Sequence, residues 1–122
     1  MKRILLLSLM LMATLTISAQ SRTRNVYYVV LGSYSTLSQA KKFNSQCPDG
    51  LECNIYRAKA NGKTVYRACT YVSYSKSKAQ ECAREINRNY GRNAWVWTSK
   101  GLAKCVFQDI GLDGEPISTR PR

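Results

Sequence analysis

The chain has 122 residues, which reads as one domain with a small core. It carries 19 Lys and Arg against 7 Asp and Glu, a formal charge of +12, and it contains no histidine. The missing histidine removes the commonest general base and a frequent metal ligand. The positive field favours anionic partners, or serves solubility alone.

Residues 1–19 have the layout of a secretory signal peptide. Lys2 and Arg3 form a basic segment, Ile4–Leu15 is an apolar run broken by Ser8 and Thr14, and Ala19 is a small residue before Gln20. The apolar run is short for a membrane span, and the alternative is an uncleaved anchor. No cysteine stands at the cleavage point to take a lipid. Cleavage would place the protein in the periplasm or outside the cell, with no membrane span. Of the 19 basic residues, the loss of Lys2 and Arg3 leaves 17 against 7 acidic ones, a formal +10. In that compartment the anionic polymers of the cell wall replace nucleic acid as the expected partner.

Residues 20–25 read as a polar leader, 26–98 as the folded domain and 99–122 as a partly disordered tail. Val26–Ser33 is predicted as the first strand, since aromatic and branched residues suit a pleated, half-buried surface. Thr36 offers an N-cap with Gln39 three residues on. Leu37, Ala40, Phe43 or Asn44, and Cys47 then mark a helix over Leu37–Gln46. Pro48-Asp49-Gly50 is turn chemistry. Glu52–Lys59 and Thr64–Tyr71 are predicted strands joined at Asn61-Gly62, a strong hairpin signal. Residues 72–76 read as a loop. Lys76–Tyr90 is a helix with the stripe Ala79, Cys82, Ala83, Ile86 and Tyr90, closed by Gly91. Ala94–Thr98 is the fourth strand, and Leu102–Ile110 has some strand character.

This order predicts an α+β fold, ferredoxin-like or RNP-like βαββαβ, with a four-stranded antiparallel sheet and two helices on one face. Strict alternation puts Val29, Leu31, Ile55, Tyr66, Ala68, Thr70 and Val96 toward the helices. It puts Tyr28, Val30, Gly32, Tyr56, Val65, Arg67, Cys69, Tyr71, Trp95 and Trp97 on the opposite, open face. An aromatic face holding an arginine suits sugars: rings stack on their apolar faces while the guanidinium bonds hydroxyls or carboxylates. The competing reading is that the tail or a partner covers these aromatics.

The stretch Tyr28–Tyr34, reading YVVLGSY, resembles the opening motif of the SPOR (sporulation-related repeat) domain, roughly aromatic-x-Val-Gln-Leu-Gly-Ser-aromatic. Gly32 and Ala40 keep that motif's spacing. A second half-motif follows at Tyr66-Arg67-Ala68, with Tyr71 at the position of the family's second glycine and Ala79 eight residues on. The likeness spans Tyr27–Thr98. It implies a peptidoglycan-binding module that recognises glycan strands stripped of stem peptides on its open sheet face, and with it a place in the cell envelope and in cell division. Ser33 and Arg67 retain family binding positions, whereas Val30 replaces the motif's glutamine. The candidate glycan site is therefore Ser33 and Arg67 with the surrounding Tyr28, Tyr56, Tyr71, Trp95 and Trp97.

Five cysteines follow the signal-like segment, and in an exported small domain they read as a disulfide framework. Cys47 and Cys53 would bridge the Pro-Asp-Gly turn; alternatively Cys47 packs in the core against the second helix. Cys69 and Cys105 would strap the tail beside the sheet. Cys82 is then left over, and an unpaired cysteine offers a route to a dimer or a protein partner. The spacings match no zinc pattern, so no metal and no cofactor are expected.

The carboxylates are scattered, and Glu81 and Glu85 lie one turn apart on a solvated helix face. There is no phosphate-binding glycine loop or serine elbow. The chain thus reads as non-catalytic. The third strand does not match the nucleic-acid signature of RNP-like sheets, which argues against RNA. The alternative to glycan binding is a secreted, disulfide-stabilised protein-interaction module on the same fold.

Overall fold

The computed structural model describes residues 24–117. The signal-like segment 1–19, most of the leader and residues 118–122 of the tail lie outside the described residues. The elements run β1 (Asn25–Tyr34), α1 (Leu37–Ser45), β2 (Asn54–Ala60), β3 (Lys63–Ser73), α2 (Lys76–Tyr90), β4 (Trp95–Lys100), β5 (Lys104–Phe107) and a 3-10 turn at Leu112–Gly114. The fold is α+β with a five-stranded antiparallel sheet ordered β4-β1-β3-β2-β5. The expected four strands therefore gain a fifth, laid against the β2 edge by what was expected to be a tail.

Local chemistry sets the element ends. The Thr36 hydroxyl accepts from the Gln39 N–H at 3.3 Å and opens α1, while the Gln39 side chain turns to Ser35 rather than back to the cap backbone. The Ser75 hydroxyl accepts from the Lys78 N–H at 3.3 Å and opens α2. Asn61 and Gly62 both take positive φ, 52° and 76°, as the mirror-image turn of a two-residue hairpin requires. Ala79, Ala83 and Ile86 of α2 bury with Val29 and Leu51, and Tyr27, Leu31, Cys47, Tyr71, Cys82, Ala94 and Val96 pack around them.

Two irregularities break the alternation between β1 and β3. Val29 pairs with Tyr71 but Val30 pairs with Cys69, so Thr70 is an extra residue on β3. Gly32 then pairs with Ala68, which makes Leu31 the extra residue on β1. Each inserted residue reverses which face the following side chains take. Tyr71 consequently lies on the helix side beside Cys82, not on the open face, and Val72 takes the place expected for it. Gly32 likewise turns to the helix side, where a Cβ would meet the Tyr34 ring that packs on Phe43 of α1.

The link from β4 to β5 shapes the whole sheet. Lys100 pairs with Asn25 on β1, and Lys104 pairs with Arg57 on β2, so only Gly101, Leu102 and Ala103 join the two edges. In a flat sheet those edges stand four spacings apart, about 19 Å at about 4.8 Å each. Four residues of extended chain reach about 14 Å. The sheet must therefore curl, bringing β4 and β5 toward each other around its helix-free side.

The expected open face is consequently a second core. Val26, Tyr28, Val30, Tyr56, Cys69 and Val72 are buried there, with Tyr74, Trp97 and Ala103 packed against them. The Tyr28 ring lies edge-on to Tyr56 at 4.7 Å and stacks on Trp97 at 4.6 Å, and its hydroxyl accepts from the Ala103 N–H at 2.8 Å. Coverage by the C-terminal chain, the competing reading above, is what the structure has.

Asn54 fastens that chain. Its buried amide donates to the Tyr56 hydroxyl at 2.8 Å and to the Ile110 carbonyl at 2.7 Å. Its Oδ1 accepts from the Asp109 and Ile110 N–H groups, each at 2.6 Å. Beyond it Ile110 bridges to Pro116, and Gly114, at φ 72°, presses against the Tyr71 ring where a Cβ would collide. Residues 111–117, within the segment read as a partly disordered tail, are thus placed by contacts.

Replacing Asn54 by Ala strands several buried backbone groups and should lower stability by about 2–4 kcal/mol in urea unfolding. The Ile110 amide should lose its hydrogen-exchange protection first. An unchanged midpoint with protection intact would show that another contact holds the segment.

Candidate functional site

Arg67 is the polar centre of the helix-free side. It pairs with Ser33 across β1 and with Tyr56 across β2, which aims its side chain over the curled face. Its guanidinium carbon lies 4.7 Å from the Trp97 ring centre and 5.1 Å from that of Trp95. Trp95 and Trp97 are alternate residues of β4, paired with Val30 and Tyr28, so both indoles share one face. The arginine therefore lies against a wall of two indoles, a cation–π arrangement.

Arg67 Nε is buried and has no hydrogen-bond partner among the described residues. A buried N–H without a partner costs roughly 1–3 kcal/mol, a cost that a shift of the side chain toward an incoming oxygen would relieve. Trp95 keeps 43 % of its surface exposed, and Ser33 is exposed beside the arginine. The cluster offers a stacking ring, a guanidinium and a hydroxyl to one ligand.

Trp97 also forms part of a groove of about 730 Å³, lined on its other sides by Arg57, Lys59, Lys100, Leu102 and Ala103 among others. Three cations around it, Arg57 and Lys59 from β2 and Lys100 from β4, make it attractive to an acidic or hydroxyl-rich chain. Burial pushes the Tyr28 and Tyr56 phenols above their ordinary range, so both are neutral scaffolding.

Of the seven glycan candidates, the structure brings Ser33, Arg67, Trp95 and Trp97 together at the surface. Tyr28 and Tyr56 lie beneath them, buried, and Tyr71 is on the opposite face. Arg57 and Lys59 were not among the candidates, although the alternation Arg57-Ala58-Lys59 marks two cations on one side of a strand. Lys100 and Ala103 were missed because they fall in the segment read as a tail. All five cysteines are free thiols. Cys47 and Cys53 are adjacent, whereas Cys69 is buried and Cys105 exposed on β5. Among the described residues no group of three metal-ligating side chains occurs, and no helix is long and apolar enough to cross a membrane.

With its Nε unpartnered, the Arg67 guanidinium is expected to contribute little to folding. Arg67→Met should change stability by less than about 1 kcal/mol, because the aliphatic stem still covers the indoles. Trp97→Ala should cost about 3 kcal/mol or more through the lost stack on Tyr28. Urea denaturation of the two variants checks this, and an Arg67→Met loss equal to that of Trp97→Ala would mean the guanidinium is structural.

No protein-family model, curated protein or solved structure matches this chain.

Proposed function

We propose that this chain is a non-catalytic binder of peptidoglycan glycan strands, exported by its signal-like segment and acting in the cell envelope. The observation that carries the reading is Arg67, held against Trp95 and Trp97 with a buried donor that nothing in the described chain satisfies. A sugar ring stacks on the exposed Trp95 while its hydroxyls or carboxylate accept from Arg67, with Ser33 beside them. The cationic groove past Trp97 extends the track for a polymer longer than one sugar. No cofactor enters this function. The SPOR-like half-motifs agree with it, since Gly32, Ser33 and Arg67 stand at family positions. The fold fits the same proposal, as a ferredoxin-like βαββαβ unit extended by β5. The valine at the motif's glutamine position removes one polar contact, because Val30 is fully buried.

Coverage of Tyr28 and Tyr56 favours a second reading, a protein-interaction module on the same fold. In that case the exposed Cys105 allows a reducible dimer.

Co-sedimentation with purified peptidoglycan at low salt separates the two. Wild type should be retained, and Arg67→Ala and Trp95→Ala should each lose roughly tenfold in affinity. Lys76→Ala, which removes the same unit of charge at the exposed start of α2, should bind as wild type does. Absence of wild-type retention, with a concentration-dependent and reducible dimer, would replace the first reading by the second.

A further inference from the structure

The Cys47–Cys53 pair has features that the glycan reading does not use. The two thiols face each other across the Pro48-Asp49-Gly50 turn, near enough for each to shift the other's ionisation. Asn44 holds both ends: its carbonyl accepts from the Cys47 N–H at 3.2 Å, and its Oδ1 accepts from the Cys53 N–H at 2.8 Å. The turn is closed again by the Leu51 N–H on the Pro48 carbonyl at 3.1 Å. The backbones of both cysteines are thus fixed to one residue and one turn, independently of any bond between the sulfurs. Cys47 is half-buried and reachable, while Cys53 is buried at the foot of β2.

We propose that Cys47 and Cys53 form a thiol–disulfide exchange site, with Cys47 as the attacking sulfur, Cys53 as the resolving one and an accessible disulfide as the oxidant. The Cys47 thiolate attacks one sulfur of that disulfide, forms a mixed disulfide and expels a thiolate, which takes a proton from water. The Cys53 sulfur then attacks Cys47 Sγ, its proton passing to the second departing thiolate. One Cys47–Cys53 bond forms, two protein thiols are oxidised, and the incoming disulfide is reduced to two thiols. Excess thiol reverses both steps.

The surroundings assign the roles. Contact with the Cys53 thiol, aided by the Arg92 charge, lowers Cys47 to about 7, against burial and Glu52. Cys53 is pushed upward by its pairing with Cys47 and by burial, with Cys69 and Asp109 acting in the same direction. Its S–H points to the Leu51 carbonyl at 3.5 Å and can turn to Cys47 when that sulfur ionises. Burial raises Cys105, although it is the more exposed thiol, which makes it an internal control.

The test treats the reduced, folded chain with glutathione disulfide, quenches with acid and maps the cysteine peptides by mass. The expected product is the Cys47–Cys53 peptide pair lighter by two hydrogens, with Cys69, Cys82 and Cys105 unmodified. Cys53→Ser should hold glutathione on Cys47, and Cys47→Ser should leave Cys53 unreacted. In wild type near neutral pH, Cys47 should alkylate roughly tenfold faster than Cys105, with a pH profile centred at about 7. First addition at Cys105, or a wild-type chain that stays glutathionylated at Cys47, would overturn the proposal without needing any variant to fold. So would equal alkylation rates at Cys47 and Cys105.

Discussion

Three residues between two strand edges constrain this molecule more than any other feature. Gly101, Leu102 and Ala103 must carry the chain from the partner of Asn25 to the partner of Arg57. A flat sheet does not allow it, so the sheet curls and its helix-free side closes on itself. Tyr28 then lies between Tyr56 and Trp97, and its phenol holds the linking segment at Ala103. Asn54 fixes the returning chain at Asp109 and Ile110. What stays accessible is the rim: Trp95, Arg67 and Ser33, with the groove past Trp97.

Much of the architecture was legible in the sequence. The α2 stripe, the two capping hydroxyls and the Asn61-Gly62 hairpin each rest on interactions within a few residues, so local spacing reports them. The extra residues Thr70 and Leu31 were not legible, since an inserted residue inside a β-rich run leaves no compositional mark. Their effect is not local, because every side chain beyond them changes face. That is why Tyr71 was placed with Arg67 and stands instead beside Cys82. The strand character of Leu102–Ile110 was visible, but its place as β5 in the sheet was not, because four residues mean little until β2 offers an unpaired edge.

The site was legible in part. Trp95 and Trp97 share a face by simple alternation on an unbroken strand, and Arg67 precedes the Thr70 irregularity, so its phase survived. Ser33 reached the right side only because the Leu31 insertion moved it there; the family likeness had put it in the site when alternation had not. The burial of Tyr28 and Tyr56 depends on the chain returning across the sheet, which residue spacing does not encode. The contact between Cys47 and Cys53 was readable from the turn between them, but the asymmetry of their surroundings was not, since Arg92 and Asp109 come from distant parts of the chain.

The curl also bears on how this chain behaves in a crowd of its own copies. An open sheet of this order ends in two unpaired backbone rows, and long flat rows of that kind recruit further strands. Here one border is β5, four residues long with Lys104 exposed, and the other is β4, six residues long and ending at the exposed Lys100. The link of three residues turns both borders toward each other and away from a common plane. Neither presents an extended template, so strand-by-strand growth into fibrils is disfavoured by the same geometry that closes the second core.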